Sequence, residues 1–417
     1  MSLPHLMRQS FLSIISHFCL IGNIEKNCIR TTFQVVYIVT MKKLTAFLLT
    51  IAVSASLMFA NDSINSFDAK LYQTLSSQPG NVNYSAISIY SLLYALQKGA
   101  QGQTKDQINQ VISLEPSTEA NEQLKAIITG TENMTNSLWY KKSLNIQSDY
   151  KQFTKDYDFI IKPTDFTQGP KVRKEINSFI SKQTDKLIEN FLQDDLPAST
   201  QLVLLNTLYF NQKWENEFDE RSTYEQDFHK NSQSKTKVQM MHKTSSVPYY
   251  QNETFQIAEF AYEDNRYSMI IFLPYDYDYD FTQANLHEQI QNFEQKKSRS
   301  RTQISFPKFD LTSKYDLIPV LEGLGMTAAF DPMTSDLSKI FLDGNNLYVD
   351  AAIHQVRILV NEKETKAAAV TMFGMKATAA MPERPPIIFN ADHPFAYVIK
   401  DNETGINLFT GIVREPK

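Results

Sequence analysis

The chain has 417 residues, of which 42% are apolar and 12% aromatic, and its formal net charge at pH 7 is −5. This apolar content suffices for a large core, and 12 glycines and 16 prolines are too few for a low-complexity chain. An acidic balance argues against nucleic acid as the main partner. Because no Gly/Ser-rich linker follows residue 61, we expect a single domain over 61–417.

Residues 41–60 have the pattern of a secretory signal peptide. Two lysines precede an apolar run over Leu44–Leu57, which is too short and too weakly flanked for a membrane anchor. Small residues near Ala60 suit cleavage before Asn61. We therefore expect a secreted protein without a membrane anchor, periplasmic or released if the source is bacterial. A buried helix of the fold is the alternative interpretation of the run.

A signal peptide must be N-terminal, so we expect Met41 to be the true start and residues 1–40 to be an over-called extension. A longer targeting segment that includes Phe11–Ile21 is the alternative. Sequencing the N-terminus of the secreted protein distinguishes the two.

Removal of residues 1–60 would change both the cysteine content and the net charge of the protein. Both cysteines, Cys19 and Cys28, are lost, so the mature chain can have neither a disulfide nor a thiol nucleophile. Five basic residues and one acidic residue are lost as well, which leaves 36 basic and 45 acidic residues and a net charge of −9. The mature protein is thus more acidic than the whole chain.

Helical periodicity precedes strand-like periodicity along the chain. Helices are predicted for Ser63–Ser76, Ser88–Gly99, Thr104–Val111 and Lys171–Ile188. Strands are predicted for Leu202–Phe210, Tyr267–Phe272, Gln303–Ser305 with Phe309, Ile353–Val360, Ala396–Lys400 and Leu408–Val413. Because helices dominate the first half and strands the second, we predict an α+β fold with large antiparallel or mixed sheets.

A Tyr-Asp repeat follows one predicted strand, over Tyr275–Asp280. Its carboxylates suggest a calcium ion, but the spacing of a calcium loop with a closing glutamate is missing. A solvated loop is the favoured interpretation.

A basic run stands out in this acidic chain. It consists of Lys296, Lys297, Arg299 and Arg301. Contact with a polyanion or a target protein is one interpretation. A solvated loop before the strand at Ile304 is the favoured one.

No motif of an enzyme active site is found in the sequence. The chain lacks the Gly-x-Ser-x-Gly, His-Glu-x-x-His and Cys/His metal-binding patterns. The histidines after residue 60 are widely scattered, at His229, His242, His287, His354 and His393. We therefore expect neither an enzyme nor a bound cofactor or metal.

The segment Val360–Pro382 combines the features of an exposed loop and of a strand. It starts polar, yet small and apolar residues alternate along it. One face carries Thr365, Ala367, Ala369, Thr371, Phe373, Met375 and Ala377. The other face carries Lys366, Ala368, Val370, Met372, Gly374 and Lys376. Such alternation is expected of a loop that can become a strand, because a one-residue slip would turn the wrong face inward.

Nine segments in sequence order resemble the serpins, inhibitors that trap a protease by inserting a cleaved loop into a sheet. They are Asn81–Ile89, Leu204–Phe210, Lys213–Glu215, Met240–His242, Ile271–Pro274, Phe306–Phe309, Leu324–Met326, the hinge-like run from Glu362 to Ala369, and Phe389–Phe395. The resemblance covers nearly the whole chain after about Ser63. It implies one serpin-like domain of helices packed on large sheets, with an exposed reactive loop, and the function of a suicide-substrate inhibitor.

The resemblance assigns the start of the loop as a hinge. The hinge positions are Glu362, Glu364, Thr365, Ala367, Ala368 and Ala369, and all but Glu364 match the family. A hinge that joins a sheet must be small, proline-free and uncharged on its inward face, and Thr365–Thr371 meets these demands. Glu364 departs from the family, which usually has glycine there. Glycine would ease the change of backbone direction, so Glu364 is expected to slow insertion or to favour simple cleavage.

The resemblance also assigns a "shutter", a polar cluster beneath the central sheet. Its members are Ser85, Ser88, Asn206 and His354. A buried imidazole needs partners for both ring nitrogens, and hydroxyl and amide groups provide them. Exchangeable hydrogen bonds of this kind hold two strands together and still let them part. A core histidine with no role in opening is the alternative.

The family's usual spacing from Glu362 places the cleaved bond at Thr378–Ala379, which suits an elastase-like enzyme with a small specificity pocket. Counting back from Phe389 favours a bond a few residues later, because the loop is about three residues longer than usual. Lys376–Ala377 would suit a trypsin-like enzyme but shortens the inserted strand. We choose Thr378–Ala379.

The expected partner is thus a serine protease, elastase-like or chymotrypsin-like in preference to trypsin-like, and the inhibitor is expected to be a monomer. A non-inhibitory relative that acts as a carrier, chaperone or storage protein is the alternative, supported mainly by Glu364. An unrelated secreted enzyme or binding module is the third hypothesis, and no motif favours it.

Overall fold

A computed structural model describes residues 61–114, 118–342, 347–362 and 385–417. The helices in this part of the chain are α1 over 61–75, α2 (Ala86–Gly99), α3 (Gly102–Ile112), α4 (Thr118–Gly130), α5 (Ser148–Asp156), α6 (Gly169–Gln183), α7 (Leu286–Lys296) and α8 (Leu317–Gly323). Among the described residues, no helix is both long and apolar enough to cross a membrane.

The strands lie mostly in the second half of the chain. They are β1 (Val82–Tyr84), β2 (Met134–Lys141), β3 (Ile160–Thr164), β4 (Leu202–Phe210), β5 (Thr223–His229), β6 (Lys235–Gln251), β7 (Phe255–Ala261), β8 (Tyr267–Pro274), β9 (Ser298–Pro307), β10 (Phe309–Asp316), β11 (Ala351–Val360), β12 (Ile387–Asn390), β13 (Phe395–Asp401) and β14 (Asn407–Val413). The predicted α+β class is confirmed.

The strands form two sheets. The larger has the order β1-β14-β13-β8-β7-β6-β9-β12, with β5 beside β6, and the smaller has the order β10-β11-β4-β2-β3. Each sheet mixes antiparallel and parallel pairs, because β12 runs parallel to β9 and β11 runs parallel to β4.

Helix α2 lies between the two sheets and contacts β2, β4 and β14. It begins where the Ser85 side chain accepts a hydrogen bond from the Ser88 N–H, and 13 of its 14 residues are buried. A helix that is buried on every side must be apolar all round, and this sequence largely is. The opposite face of the five-stranded sheet is covered by α6, whose Val172, Ile176 and Ile180 pack against residues of β4. The five-stranded sheet is therefore enclosed on both faces.

Two sequence-based boundaries are wrong. The helix predicted through Ile188 ends at Gln183, and Asp185 and Lys186 take left-handed backbone angles. Ile188 is nevertheless buried, so the apolar period continues beyond the helix. The basic run is not a loop before Ile304, since Lys296 ends α7 and β9 starts at Ser298.

Candidate functional site

The centre of the five-stranded sheet is a parallel pair, β4 and β11, with Ala351 opposite Val203 and Ile358 opposite Phe210. Its outer neighbours, β2 and β10, run antiparallel to it. A chain that left the end of β11 and folded back would run antiparallel to β11, and therefore to β4 as well. Inserted between them, it would replace one parallel ladder by two antiparallel ladders, which are slightly more stable per residue. We call this place the β4–β11 junction.

The four shutter residues meet at the β4–β11 junction. Asn206 of β4 and His354 of β11 are register partners, and His354 Nδ1 lies 2.5 Å from Asn206 Oδ1. The Ser88 hydroxyl donates to the same oxygen over 2.7 Å, and the Ser85 N–H donates to His354 Nε2 over 3.2 Å. Since Nε2 accepts, the ring proton lies on Nδ1 and is donated to Asn206. The start of helix α2, through its cap residue Ser85 and through Ser88, thus contacts both strands that would have to separate.

Complete burial keeps His354 uncharged. It lowers the pKa of the imidazole to about 3, and the Tyr315 ring lies almost parallel to it at a centroid distance of 6.3 Å. A neutral imidazole has one donor and one acceptor, and both are used here. At its middle, the junction is therefore held by hydrogen bonds between neutral groups, so no charge is exposed there when the strands part.

The structure adds two residues that the sequence analysis missed. Asn206 Nδ2 donates to Asn136 Oδ1 over 2.7 Å, and Asn136 Nδ2 donates to Ser91 Oγ over 2.9 Å. Asn136 lies in β2 directly opposite Asn206, so the polar network spans three strands. A buried asparagine within an apolar strand was the available signal, but the segment Met134–Lys141 had not been predicted as a strand.

The end of β11 is held by a loop that follows β4. The Trp214 Nε1–H donates to Asn361 O over 2.9 Å, and the Phe218 N–H donates to Glu362 O over 3.0 Å. Lys243 Nζ lies 3.9 Å from the centroid of the Phe218 ring. The two hydrogen bonds tie the loop after β4 to the end of β11, where an inserting loop would have to begin.

Glu362, the first hinge residue, is buried and paired with Lys308, whose Nζ lies 2.8 Å from its carboxylate. Burial opposes its ionisation, but the hydrogen bond and ion pair with Lys308 outweigh that effect, so the pKa of Glu362 lies below its usual value. Glu362 is therefore ionised at neutral pH and anchors the start of the loop to β9 and β10.

The remaining residues of the predicted hinge and bond lie outside the described residues. These are Glu364, Thr365, Ala367, Ala368, Ala369, Thr378 and Ala379. Their assignments stay predictions from the sequence.

The basic run is partly engaged within the fold. Lys297 forms ion pairs of 2.8 Å with both Glu259 and Glu294, and Arg299 donates to Ser246 O over 2.8 Å. These contacts fix the end of α7 to β6 and β7. They favour a structural use of the run over polyanion binding. In the described ranges, no group of three or more His, Cys, Asp or Glu residues is placed to hold a metal ion.

Comparison with known proteins agrees with this arrangement. The sequence matches the family Serpin (serine protease inhibitor) over residues 62–416. An uncharacterized serpin-like protein of Thermococcus kodakarensis is 32% identical over 369 residues, with 85% of each chain covered. Plasminogen activator inhibitor 1 of Sus scrofa is 31% identical over 371 residues, which cover 84% of this chain and 91% of the relative. The crystal structure of maspin superposes with a TM-score of 0.78 at 25% identity, over 87% of this chain and 100% of maspin.

Two mixed sheets with a buried helix between them define a protein of the α+β class. The chain belongs to the serpin family, as the match over residues 62–416 establishes.

Proposed function

We propose that this protein is a suicide-substrate inhibitor of a serine protease and traps the acyl-enzyme by inserting its cleaved loop at the β4–β11 junction. The observation that carries the proposal is the central parallel pair, closed over neutral, exchangeable polar contacts at Asn206 and His354. The name of plasminogen activator inhibitor 1, a relative over most of both chains, supports it.

The chemistry is that of an ordinary proteolytic cleavage that stops after the acylation step. The hydroxyl of the protease serine attacks the carbonyl carbon of Thr378, the peptide bond to Ala379 breaks, and the new amine leaves with the proton supplied by the protease histidine. An ester now joins Thr378 to the protease. Water completes an ordinary cleavage, but only while the triad and oxyanion hole of the protease are intact.

Insertion competes with that last step. The freed segment forms a strand between β4 and β11 and carries the esterified protease with it, which distorts the protease and stalls hydrolysis. The intact inhibitor is consequently a kinetically trapped state that relaxes only after cleavage. Contacts that join β4 to β11, at His354 and at Glu362, set the height of the activation barrier to strand insertion.

The target we propose is an elastase-like or chymotrypsin-like enzyme, because Thr378 is small and uncharged. A trypsin-like enzyme would cut after Lys376 and would leave two fewer residues to insert. We further propose that the protein is secreted after cleavage before Asn61. N-terminal sequencing of the exported protein tests that, and a mature end within residues 1–40 would contradict it.

Incubation with elastase-like, chymotrypsin-like and trypsin-like proteases tests the function. We expect an SDS-stable complex with an elastase-like or chymotrypsin-like enzyme, and a released C-terminal fragment that begins at Ala379 or within about three residues of it. Complete cleavage of the loop by every protease, with no stable complex, would favour the non-inhibitory alternative that Glu364 suggests.

A further inference from the structure

A lysine of the larger sheet lies beneath the loop that closes the end of the β4–β11 junction. Lys243 belongs to β6, and its Nζ donates to Asn216 O over 2.6 Å. The same Nζ lies 3.9 Å from the centroid of the Phe218 ring, 5.9 Å from that of Trp214 and 5.7 Å from that of Phe260. Three of these four contacts come from the loop after β4.

The charged groups on the elements packed around Lys243 have other partners or face water. Glu215 and Glu217 of the loop are exposed, and Glu215 accepts a 3.0 Å hydrogen bond from Asn216 Nδ2. On β6 itself, burial lowers the pKa of His242, which is neutral at pH 7. The other nearby acids form the ion pairs Lys213–Glu263, Lys297–Glu259, Lys400–Glu294 and Lys308–Glu362, and Arg299 donates to Ser246 O. Within the described residues, the ammonium of Lys243 is thus held by a carbonyl and by aromatic faces.

This position is unfavourable for a positive charge. A carbonyl and ring faces recover only part of the hydration that a buried ammonium loses. Burial has the largest effect and the charge of Glu215 opposes it only in part, so the pKa of Lys243 falls to about 7. The closed loop therefore covers an amine that water would keep fully protonated at neutral pH.

The loop that covers Lys243 also holds the end of β11. The Trp214 Nε1–H donates to Asn361 O, and the Phe218 N–H donates to Glu362 O. A strand that enters between β4 and β11 from this end has to replace these two hydrogen bonds. Displacement of Trp214 and Phe218 uncovers Lys243 and returns its ammonium to water.

We propose that Lys243 is a positioning residue that favours opening of the β4–β11 junction, because its ammonium is desolvated beneath the closed loop and hydrated once the loop is displaced. This inference rests on the proposed function and adds a regulation by pH to strand insertion. It assigns part of the driving force for opening to a residue of the larger sheet, outside both strands that separate.

The direction of the pH dependence follows from the two protonation states. With the loop displaced, Lys243 has the ordinary pKa of a lysine, about 10.4, against about 7 beneath the closed loop. Between these values the open form binds more protons than the closed form. A fall in pH from 9 to 7 therefore favours opening. Below pH 7 both forms are charged, and the effect levels off.

Uptake of a synthetic strand tests the proposal without a protease. The probe is an N-acetylated peptide with the sequence of residues 365–377, labelled at its C-terminus, and fluorescence anisotropy follows its uptake by the intact protein. The rate constant of uptake should rise as the pH falls from 9 to 7, by up to about 50-fold where the transition state exposes Lys243 fully. From pH 7 to pH 6 it should rise by no more than about twofold.

Three variants separate the charge of Lys243 from its shape. Lys243→Met has a similar length and no charge, so its uptake should be slow at every pH and should match the parent near pH 9. Lys243→Arg keeps its charge over the whole range, so its uptake should stay fast at pH 9. Lys213→Met removes a lysine of the same loop, which pairs with Glu263 at 3.6 Å, and should keep the pH dependence of the parent. Equal pH dependence in the parent and in Lys243→Met would overturn the proposal.

Thermal unfolding of the intact protein gives a second measurement. At pH 7, Lys243→Met should unfold at the same temperature as the parent or at a higher one, because a desolvated charge is removed and water can bind the carbonyl of the exposed Asn216. A lower midpoint would mean that Lys243 holds the loop closed, which would overturn the proposal.

The proposed function and the role of Lys243 fail separately. If the parent takes up no peptide at any pH, strand insertion fails, and the role of Lys243 fails with it. Uptake that does not change between pH 7 and pH 9 leaves strand insertion standing and overturns the role of Lys243 alone. With a trapped protease, Lys243→Met should consume more inhibitor molecules per protease than the parent at pH 7, because slower insertion leaves more time for hydrolysis, and this difference should vanish near pH 9.

Discussion

The two sheets are built differently at their centres. In the nine-stranded sheet, β8 and β13 pair Met269 with Ile399 and Ile270 with Val398, and all four side chains are fully buried. In the five-stranded sheet, β4 and β11 pair Asn206 with His354 and Thr207 with Gln355. One junction joins apolar surfaces that would cost much to expose, whereas the other places polar groups at its middle.

The polar junction is also incompletely satisfied. Thr207 Oγ1 and Gln355 Oε1 are buried without a hydrogen-bond partner. A buried polar atom without a partner costs about 1–3 kcal/mol, so the closed β4–β11 junction is less stable than an apolar one of the same length. The comparison indicates that the centre of the larger sheet is the more stable one, and the proposed function assigns the rearrangement to the smaller sheet.

The largest expected effect is a gain in thermal stability on loop cleavage, which would show that the smaller sheet accepts a further strand. Cleavage of the loop should raise the midpoint of thermal unfolding by tens of degrees, because the freed segment adds hydrogen-bonded ladders at the β4–β11 junction and buries Phe373 and Met375. In a large domain, about 1 kcal/mol shifts the midpoint by roughly 2–4 °C. Calorimetry of intact and cleaved protein measures the change. Equal midpoints would mean that the loop does not insert.

A charge on the inward face of the loop should prevent insertion without affecting recognition. Thr365→Arg would place an unpaired charge under the sheet, at a cost of several kcal/mol. Hydrolysis of the acyl-enzyme should then be faster than loop insertion, and many more inhibitor molecules should be consumed per protease. The matched control is Ala368→Arg, on the outward face of the same segment, which should inhibit nearly as well as the parent. Glu364→Gly should lower the number consumed. Equal behaviour of Thr365→Arg and Ala368→Arg would contradict strand insertion.

A cavity in the larger sheet should lower stability and leave the mechanism intact. Phe272 is fully buried between β7 and β13, and Phe272→Ala should reduce the free energy of unfolding by about 3–5 kcal/mol. Chemical denaturation should give a similar loss for intact and cleaved protein, because β8 does not rearrange. A change in the number of inhibitor molecules consumed per protease would mean that the two sheets are coupled more tightly than the comparison implies.

The smallest expected effect comes from acid. His354 titrates near pH 6.5 in an unfolded chain, but burial lowers its pKa to about 3 in the fold. The unfolded chain therefore binds more protons between these values, so stability falls as the pH drops from about 6.5 toward 3. At pH 5 the loss from this residue is about 2 kcal/mol. Denaturation of the parent and of His354→Gln at pH 5 and pH 7 measures it, and the same pH dependence in both would exclude His354 as the cause.

Much of this architecture can be predicted from the sequence. Strand β4 matches its predicted limits because nine consecutive residues are buried and bounded by polar ones. The four shutter residues, assigned by resemblance, do lie together; their part in strand separation stays a prediction. Asn136 and Ser91 were missed because Asn136 meets Asn206 only through a pairing of residues 70 apart in the chain. No local pattern reveals such a contact.

Other differences have a similar cause. Strand β6 runs over 17 residues and was not predicted, since its burial pattern follows two successive environments, beside β5 and then beside β7. The apolar period through Ile188 suggested a longer α6, but the left-handed Asp185 and Lys186 end the helix while the chain still covers the sheet. In both cases the limits of the element depend on the strands that it packs against or pairs with, and a local sequence pattern does not contain that information.

The central claim is that the cleaved loop inserts between β4 and β11. A disulfide that locks the β4–β11 junction tests this claim most directly. Thr207 and Gln355 are register partners whose side-chain oxygens have no partner to lose, and adjacent strands lie about 5 Å apart, which suits a disulfide. A protein that begins at Asn61 has no cysteine, so Thr207→Cys/Gln355→Cys made in that form can form only one intramolecular disulfide. With the disulfide formed, the protease should cleave the loop and escape; after reduction, trapping should return. Trapping by the oxidised variant as efficient as that by the reduced variant would contradict insertion between β4 and β11.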